Sequence, residues 1–198
     1  MAQVLKPAVR ERIVAAGREV FFERGYEAAS MADIARRAGL ATASIYRYVP
    51  DKATLFEAVL PDELIAEHDR LLDARIEALV EPVGADARAA DLLDFWVAHR
   101  AAIATLLDHD GRTSRSWYRE AFVERLVDHV ARSIGVPLTP AHRTVLGLVF
   151  DNTRRAIATL LRSTGDEREL RATIAGFWSY QVPGLDGLGD WIRATSDR

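Results

Sequence analysis

Residues 46–52 place two tyrosines, an arginine and a lysine within seven positions, and the first acidic residue after Gly39 is Asp51. Two small hydroxyl residues stand just before this group, at positions 42 and 44. Hydroxyl, phenol and cationic side chains in such density are typical of surfaces that bind phosphate oxygens. The segment therefore indicates an anion-binding surface, provided that one element presents these side chains together.

The sequence before this segment predicts two helices. Pro7 suits the first turn of a long helix, and Gly25 ends it. Ser30 has the side chain of a helix N-cap and begins a second, short helix that Gly39 stops.

The segment itself predicts a third helix, which begins near Thr42 and ends before Pro50, because the residue before a proline avoids helical angles. Asp51 caps a fourth helix that Pro61 breaks. A long helix followed by two short helices around a glycine-containing turn is the helix-turn-helix pattern. We therefore expect the segment to be the recognition helix, which lies in the major groove of DNA.

Residues 10–56, about a quarter of the chain, resemble the DNA-binding domain of the TetR family of bacterial transcriptional regulators. Ala41, Ala43 and Val49 depart from the usual residues of that family. The matching residues are Ile13, Ala16, Phe21, Gly25, Tyr26, Ile34, Ala35, Ala38, Gly39, Ser44, Ile45, Tyr46, Tyr48, Lys52 and Leu55.

The resemblance implies that Tyr46 and Tyr48 donate hydroxyls to DNA phosphates, with Lys52 a charge beside the same backbone. Arg47 is a candidate for base contact, although a phosphate contact is as consistent with its position. Tyr46 could alternatively be a core aromatic residue of the helical unit. The expected DNA-binding residues are Ser30, Thr42, Ala43, Ser44, Tyr46, Arg47, Tyr48 and Lys52.

The distribution of charged residues indicates two parts of the chain that differ in net charge. The chain has 198 residues and a net charge of -3, of which residues 1–50 contribute +3 and the remainder -6. There is no cysteine, which excludes disulfides, thiolate metal sites and thiol catalysis. The amino terminus lacks the apolar core of a signal peptide, and no apolar run is long enough to span a bilayer, so we expect a cytoplasmic protein.

Residues 61–198 predict helices alone, which makes the fold class all-α. We expect breaks at 81–84 and 109–114, one uninterrupted helix over 86–107, and a last long helix over 166–180 followed by a glycine-rich segment and a short terminal piece. The predicted domains are a three-helix helix-turn-helix domain over 1–50, a connecting helix over 51–60, and a larger ligand-binding and dimerisation domain over 61–198.

The resemblance implies two tasks for the larger domain. One is formation of a homodimer through the last two long helices, since two half-sites of a palindromic operator need a two-fold protein; which helix faces meet stays open. The other is binding of a small effector that releases DNA, and the mostly apolar candidates favour a largely hydrophobic one. The candidate pocket residues, for each of which core packing is the alternative, are Trp96, His99, Arg100, Trp117, Tyr118, Phe122, Phe150 and Asn152.

The sequence contains none of the common catalytic, nucleotide-binding or zinc-binding motifs, so we predict no enzymatic activity, no cofactor and no metal. The competing interpretation is an all-α ligand-binding protein, or a helical enzyme whose residues meet only in space, without DNA activity. A DNA mobility-shift experiment separates a regulator from both.

Overall fold

The computed structural model describes residues 6–78, 85–108 and 113–196, and these residues form helices without any strand. The all-α prediction is confirmed. The predicted breaks at 81–84 and 109–112 lie outside the described residues. In chain order the helices are α1 (Pro7–Ala28), α2 (Met31–Arg37), α3 (Thr42–Ile45), α4 (Lys52–Val59), α5 (Asp62–Glu77), α6 (Ala85–Ala98), α7 (Arg100–Leu107), α8 (Tyr118–Ile134), α9 (Pro140–Ser163) and α10 (Glu167–Thr195).

Helices α1–α4 form an amino-terminal head. The predicted caps are present, since the Ser30 hydroxyl accepts from the Asp33 amide at 3.1 Å and the Asp51 carboxylate from the Thr54 amide at 2.7 Å. Gly25 has a φ of 73° and interrupts α1 near its end, in the left-handed region that glycine tolerates best.

The apolar face of α4 packs on α1. The ring of Phe56 meets those of Phe21 and Tyr26 edge-on, at centroid distances of 5.2 and 4.8 Å, which is a favoured aromatic geometry. Leu55 is fully buried beside Gly17, where an added Cβ would come within 3.0 Å of the leucine. Any larger residue at position 17 would therefore require the Leu55 side chain to shift by a few tenths of an ångström.

Helices α5–α10 form the larger body. Residues 102–107 of α7 are all buried, because α7 lies among α1, α8 and α9. Helix α5 packs on α6, and α9 packs on α7, α8 and α10. The contact of α1 with α7 joins the head to the body.

Two predicted helix boundaries in the body are wrong. The helix expected over 86–107 is divided at His99, whose φ of -110° and ψ of 22° separate α6 from α7. The expected end near position 180 is absent, and α10 continues through Pro183 to Thr195. Tertiary contacts hold its last turns in place: Ile192 is buried, and the Thr195 hydroxyl lies 2.9 Å from His142 Nε2.

Candidate nucleic-acid interface and ligand cavity

Helix α3 presents one face to the interior of the head and the other to solvent. Ile45 and Val49 are buried against the head, which fixes the rotation of the helix. Tyr46 leaves half of its surface exposed, at 50%, so it is not a core aromatic residue. Of the predicted DNA-binding residues on this segment, Thr42, Ala43, Tyr46 and Arg47 are exposed, while Ser44 and Tyr48 are half-buried.

The neighbouring arginines of α2 are engaged within the head. Arg37 bridges to Glu19 and Glu23 of α1, each at 2.7 Å, and the hydrogen bond from Arg37 lowers the pKa of Glu23. Arg36 contacts the carboxylate of Asp33, which also lies 3.0 Å from Arg24. The ion pairs of Arg37 with Glu19 and Glu23, and of Arg24 with Asp33, connect α2 to α1.

Lys52 and Ser30, both predicted to bind DNA, make hydrogen bonds within the head. The Lys52 ammonium donates to the carbonyls of Tyr26 at 2.8 Å and Ala29 at 3.1 Å, and it lies 4.3 Å from the centre of the Tyr26 ring. A cation at these carbonyls complements the negative end of α1. The exposed Ser30 hydroxyl caps α2 and donates to Asp33 at 2.6 Å.

The body contains a cavity of about 80 Å³ between α5, α6, α8, α9 and α10. Three of the predicted pocket residues, Trp96, Phe122 and Phe150, line it. Its other walls are mainly aliphatic, with a few polar side chains. They are Leu72, Arg75, Ile76, Leu92, Leu126, His129, Val130, Thr153, Ile157, Trp178, Gln181, Val182 and Leu185.

The remaining pocket candidates lie elsewhere. His99, Trp117 and Asn152 are exposed. Arg100 donates to the Thr164 carbonyl at 2.6 Å and lies 5.3 Å from the Phe22 ring, at the contact between body and head. Tyr118 is buried outside the cavity walls.

Tyr118 belongs to a buried hydrogen-bonded group that the sequence did not reveal. Its hydroxyl lies 2.6 Å from Nδ1 of the fully buried His68 and donates to Asp69 at 2.5 Å. Burial and the neighbouring Asp69 charge raise the pKa of the phenol well above its usual value. Burial opposes ionisation of Asp69, but the neighbouring His68 ring, the hydrogen bond from Tyr118 and the charge of Arg125 at 2.8 Å bring its pKa below the usual value.

The polar cavity residues Arg75, His129 and Gln181 were also missed in the sequence. Each lies on an amphipathic helix, where a polar side chain by itself predicts a solvent-exposed position. The signal that could have revealed them is an apolar residue one helical turn away: Leu72 for Arg75, Leu126 for His129 and Leu185 for Gln181.

Large apolar side chains are exposed on the outer faces of the last two helices. Leu148 of α9 is 63% exposed and Tyr180 of α10 is 78% exposed. Burial of such a large apolar side chain against a partner surface would stabilise the complex. Within the described residues, no helix is long and apolar enough to cross a membrane, and no group of three or more His, Cys, Asp or Glu side chains could hold a metal ion.

Residues 13–59 match the model for bacterial regulatory proteins of the tetR family. The chain is 38% identical over 76 residues to the transcriptional regulator TtgR of Pseudomonas putida, a match that covers 38% of this chain and 36% of that protein. It is 28% identical over 160 residues to the transcriptional activator FasR of Mycolicibacterium smegmatis, covering 71% of this chain and 67% of that protein.

Among solved structures, the chain is similar to the regulator FadR of Bacillus subtilis, crystallised with stearoyl-CoA. The TM-score is 0.45 at 16% identity, and the match covers 77% of this chain and 94% of that one. The amino-terminal match and the curated relatives together show that residues 13–59, about a quarter of the chain, are similar to bacterial regulatory proteins of the tetR family.

Proposed function

We propose that the protein is a cytoplasmic DNA-binding transcriptional regulator, acting as a repressor that a small, largely hydrophobic effector releases from a palindromic operator. The observation that carries the DNA part is the outward face of α3 and of the turn that follows it, where Thr42, Ala43, Tyr46 and Arg47 are exposed together. The inward residues Ile45 and Val49 fix this face, so that docking in a major groove needs no rearrangement of the head.

Within this surface we assign different parts to different side chains. Tyr46, Tyr48 and Ser44 bind phosphates, and Thr42, Ala43 and Arg47 reach base edges. Ser30 stands at the start of α2 and joins the phosphate contacts. Lys52 contributes mainly through the position of its charge, since backbone carbonyls already accept its ammonium hydrogens.

We propose a homodimer whose interface includes the outer faces of α9 and α10. The exposed Leu148 and Tyr180 support this surface. Gly176, Gly184 and Gly187 share the exposed side of α10 with Tyr180 and leave space for a second helix. Two heads on one two-fold axis would match two half-sites.

The test is a mobility-shift titration with the intergenic DNA beside the gene, supplemented by sedimentation of the free protein. A regulator gives a discrete shift that Arg47→Ala weakens, whereas Arg70→Ala, an exposed change on α5, leaves it unaltered. A protein that sediments as a strict monomer and leaves all such fragments unshifted would instead be the ligand-binding protein or helical enzyme without DNA activity.

A further inference from the structure

The cavity wall contains a cation that has no ion-pair partner among the described residues. Arg75 of α5 lines the wall, and no hydrogen bond or ion pair links its guanidinium to any described residue. None of the wall residues is an aspartate or glutamate. Burial lowers the pKa of Arg75, and the more distant charge of Asp86 only partly opposes this effect. An anion in the cavity would offset the desolvation of this group.

A second donor in the same wall is also unmatched. Trp96 is 1% exposed, and its indole Nε1 has no hydrogen-bond partner among the described residues. The Trp178 ring lies near both donors. Its centre is 5.4 Å from the Arg75 guanidinium carbon and 5.8 Å from the centre of the Trp96 ring. Because a buried donor without an acceptor is costly, the site favours a ligand rich in acceptor oxygens.

The rest of the wall restricts the ligand further. Phe122, Phe150 and Ile157 offer only apolar surface. The volume of about 80 Å³ is well below the roughly 150 Å³ that admits benzene in an engineered cavity. An apolar group of several carbons must therefore displace wall side chains as it enters.

We propose that the cavity binds an organic anion, with an apolar tail in the interior and one carboxylate held by the guanidinium of Arg75. This inference rests on the proposed sensing function and names the chemical class of its effector. The planar guanidinium donates two parallel hydrogen bonds to a carboxylate, which a neutral alcohol of equal length cannot accept.

The test compares three probes with the same eight-carbon chain: octanoate, 1-octanol and octylammonium. Quenching of tryptophan fluorescence reports binding, because Trp96 and Trp178 line the cavity. At pH 7 the full-length protein is expected to bind octanoate about tenfold or more tightly than octanol, and octylammonium most weakly.

Two variants locate the effect. Arg75→Met should abolish the preference for octanoate and leave octanol affinity within about twofold, because the methionine preserves apolar contact. Arg70→Met, on the same helix but exposed and paired with Glu67 at 2.7 Å, should keep the preference. Octanoate affinity no greater than that of octanol, including no binding of either at millimolar concentration, overturns the proposal, as does a preference that survives in Arg75→Met.

A mobility shift run in parallel separates this inference from the proposed function. Octanoate binding through Arg75 without any change in DNA affinity would confirm the anion site and contradict the sensing function. Loss of DNA binding at the same concentration of octanol as of octanoate would support sensing and contradict the anion site.

Discussion

Some residues of the recognition segment are expected both to bind DNA and to stabilise the head, whereas the exposed Tyr46 is expected only to bind DNA. Its hydroxyl is not needed for the head core, so Tyr46→Phe should leave the melting temperature unchanged. Each lost hydrogen bond to a charged phosphate costs about 1.5–3 kcal/mol, and a dimer loses two, so affinity should fall about 100-fold or more for operator and non-specific DNA alike. Fluorescence anisotropy with both duplexes measures this. Arg70→Ala, an exposed change on α5 outside the proposed DNA and dimer surfaces, is the control; wild-type affinity in Tyr46→Phe would contradict the phosphate contact.

Lys52 has two possible roles that a single affinity cannot separate. Lys52→Met removes the ammonium from the carbonyls of Tyr26 and Ala29, so the free energy of unfolding should fall by about 1–2 kcal/mol. Arg47→Gln removes an exposed cation for which a phosphate contact is the alternative to a base contact, and a phosphate contact predicts that the log–log salt slope of DNA binding falls by roughly 0.9 per contact, or about 1.8 per dimer.

Thermal unfolding and salt titrations of the two variants give the comparison. We expect the slope to change less in Lys52→Met than in Arg47→Gln. An equal change in slope, with no loss of stability, would show that Lys52 leaves its carbonyls and binds phosphate in the complex.

The elements show which parts of the structure the sequence could predict. The head was predictable because its signals are local: the Ser30 and Asp51 caps, and Gly25 and Gly39 at positive φ, each act within a few residues. The break at His99 and the continuity of α10 depend on distant contacts, which no local pattern contains.

The two candidate binding sites also differ in how well the sequence predicts them. The outward face of α3 follows from a single short helix, and its residues were predicted together. The cavity instead draws on five helices, so the sequence identified Trp96, Phe122 and Phe150 but not Arg75.

Continuity of α10 through Pro183 leads to a stability prediction. A proline inside a helix removes one backbone hydrogen bond and clashes with the preceding turn, at a cost of about 3 kcal/mol. Pro183 is exposed, so Pro183→Ala should raise the free energy of unfolding by about 1–3 kcal/mol. Pro140→Ala, at the first turn of α9 where proline is well tolerated, should give no such gain. Denaturant unfolding of both variants measures the difference; equal effects would mean that 183 does not lie within a continuous helix.

At the scale of the whole molecule, α9 connects the cavity with the head. Phe150, Thr153 and Ile157 of this helix line the cavity. Further along, Arg162 donates to the Phe22 carbonyl of α1 at 3.2 Å, and its guanidinium carbon lies 5.5 Å from the centre of the Phe22 ring. Because an entering ligand must widen the cavity, a shift of α9 would reach α1 through this contact.

This route can be tested by the coupling between ligand and DNA. Linkage requires that a ligand that weakens DNA binding is itself bound more weakly in the presence of DNA, by the same factor, typically about 5- to 150-fold. Octanoate titrations with and without operator duplex measure that factor.

Arg162→Met should reduce it by about three- to tenfold while each binary affinity stays near its wild-type value, because neither site contains Arg162. Arg155→Met, which removes an exposed arginine of the same helix paired with Asp151 at 3.0 Å, should leave the factor unchanged. An unaltered factor in Arg162→Met would show that the signal passes by another contact, such as the packing of α7 on α1, rather than through the Phe22 carbonyl.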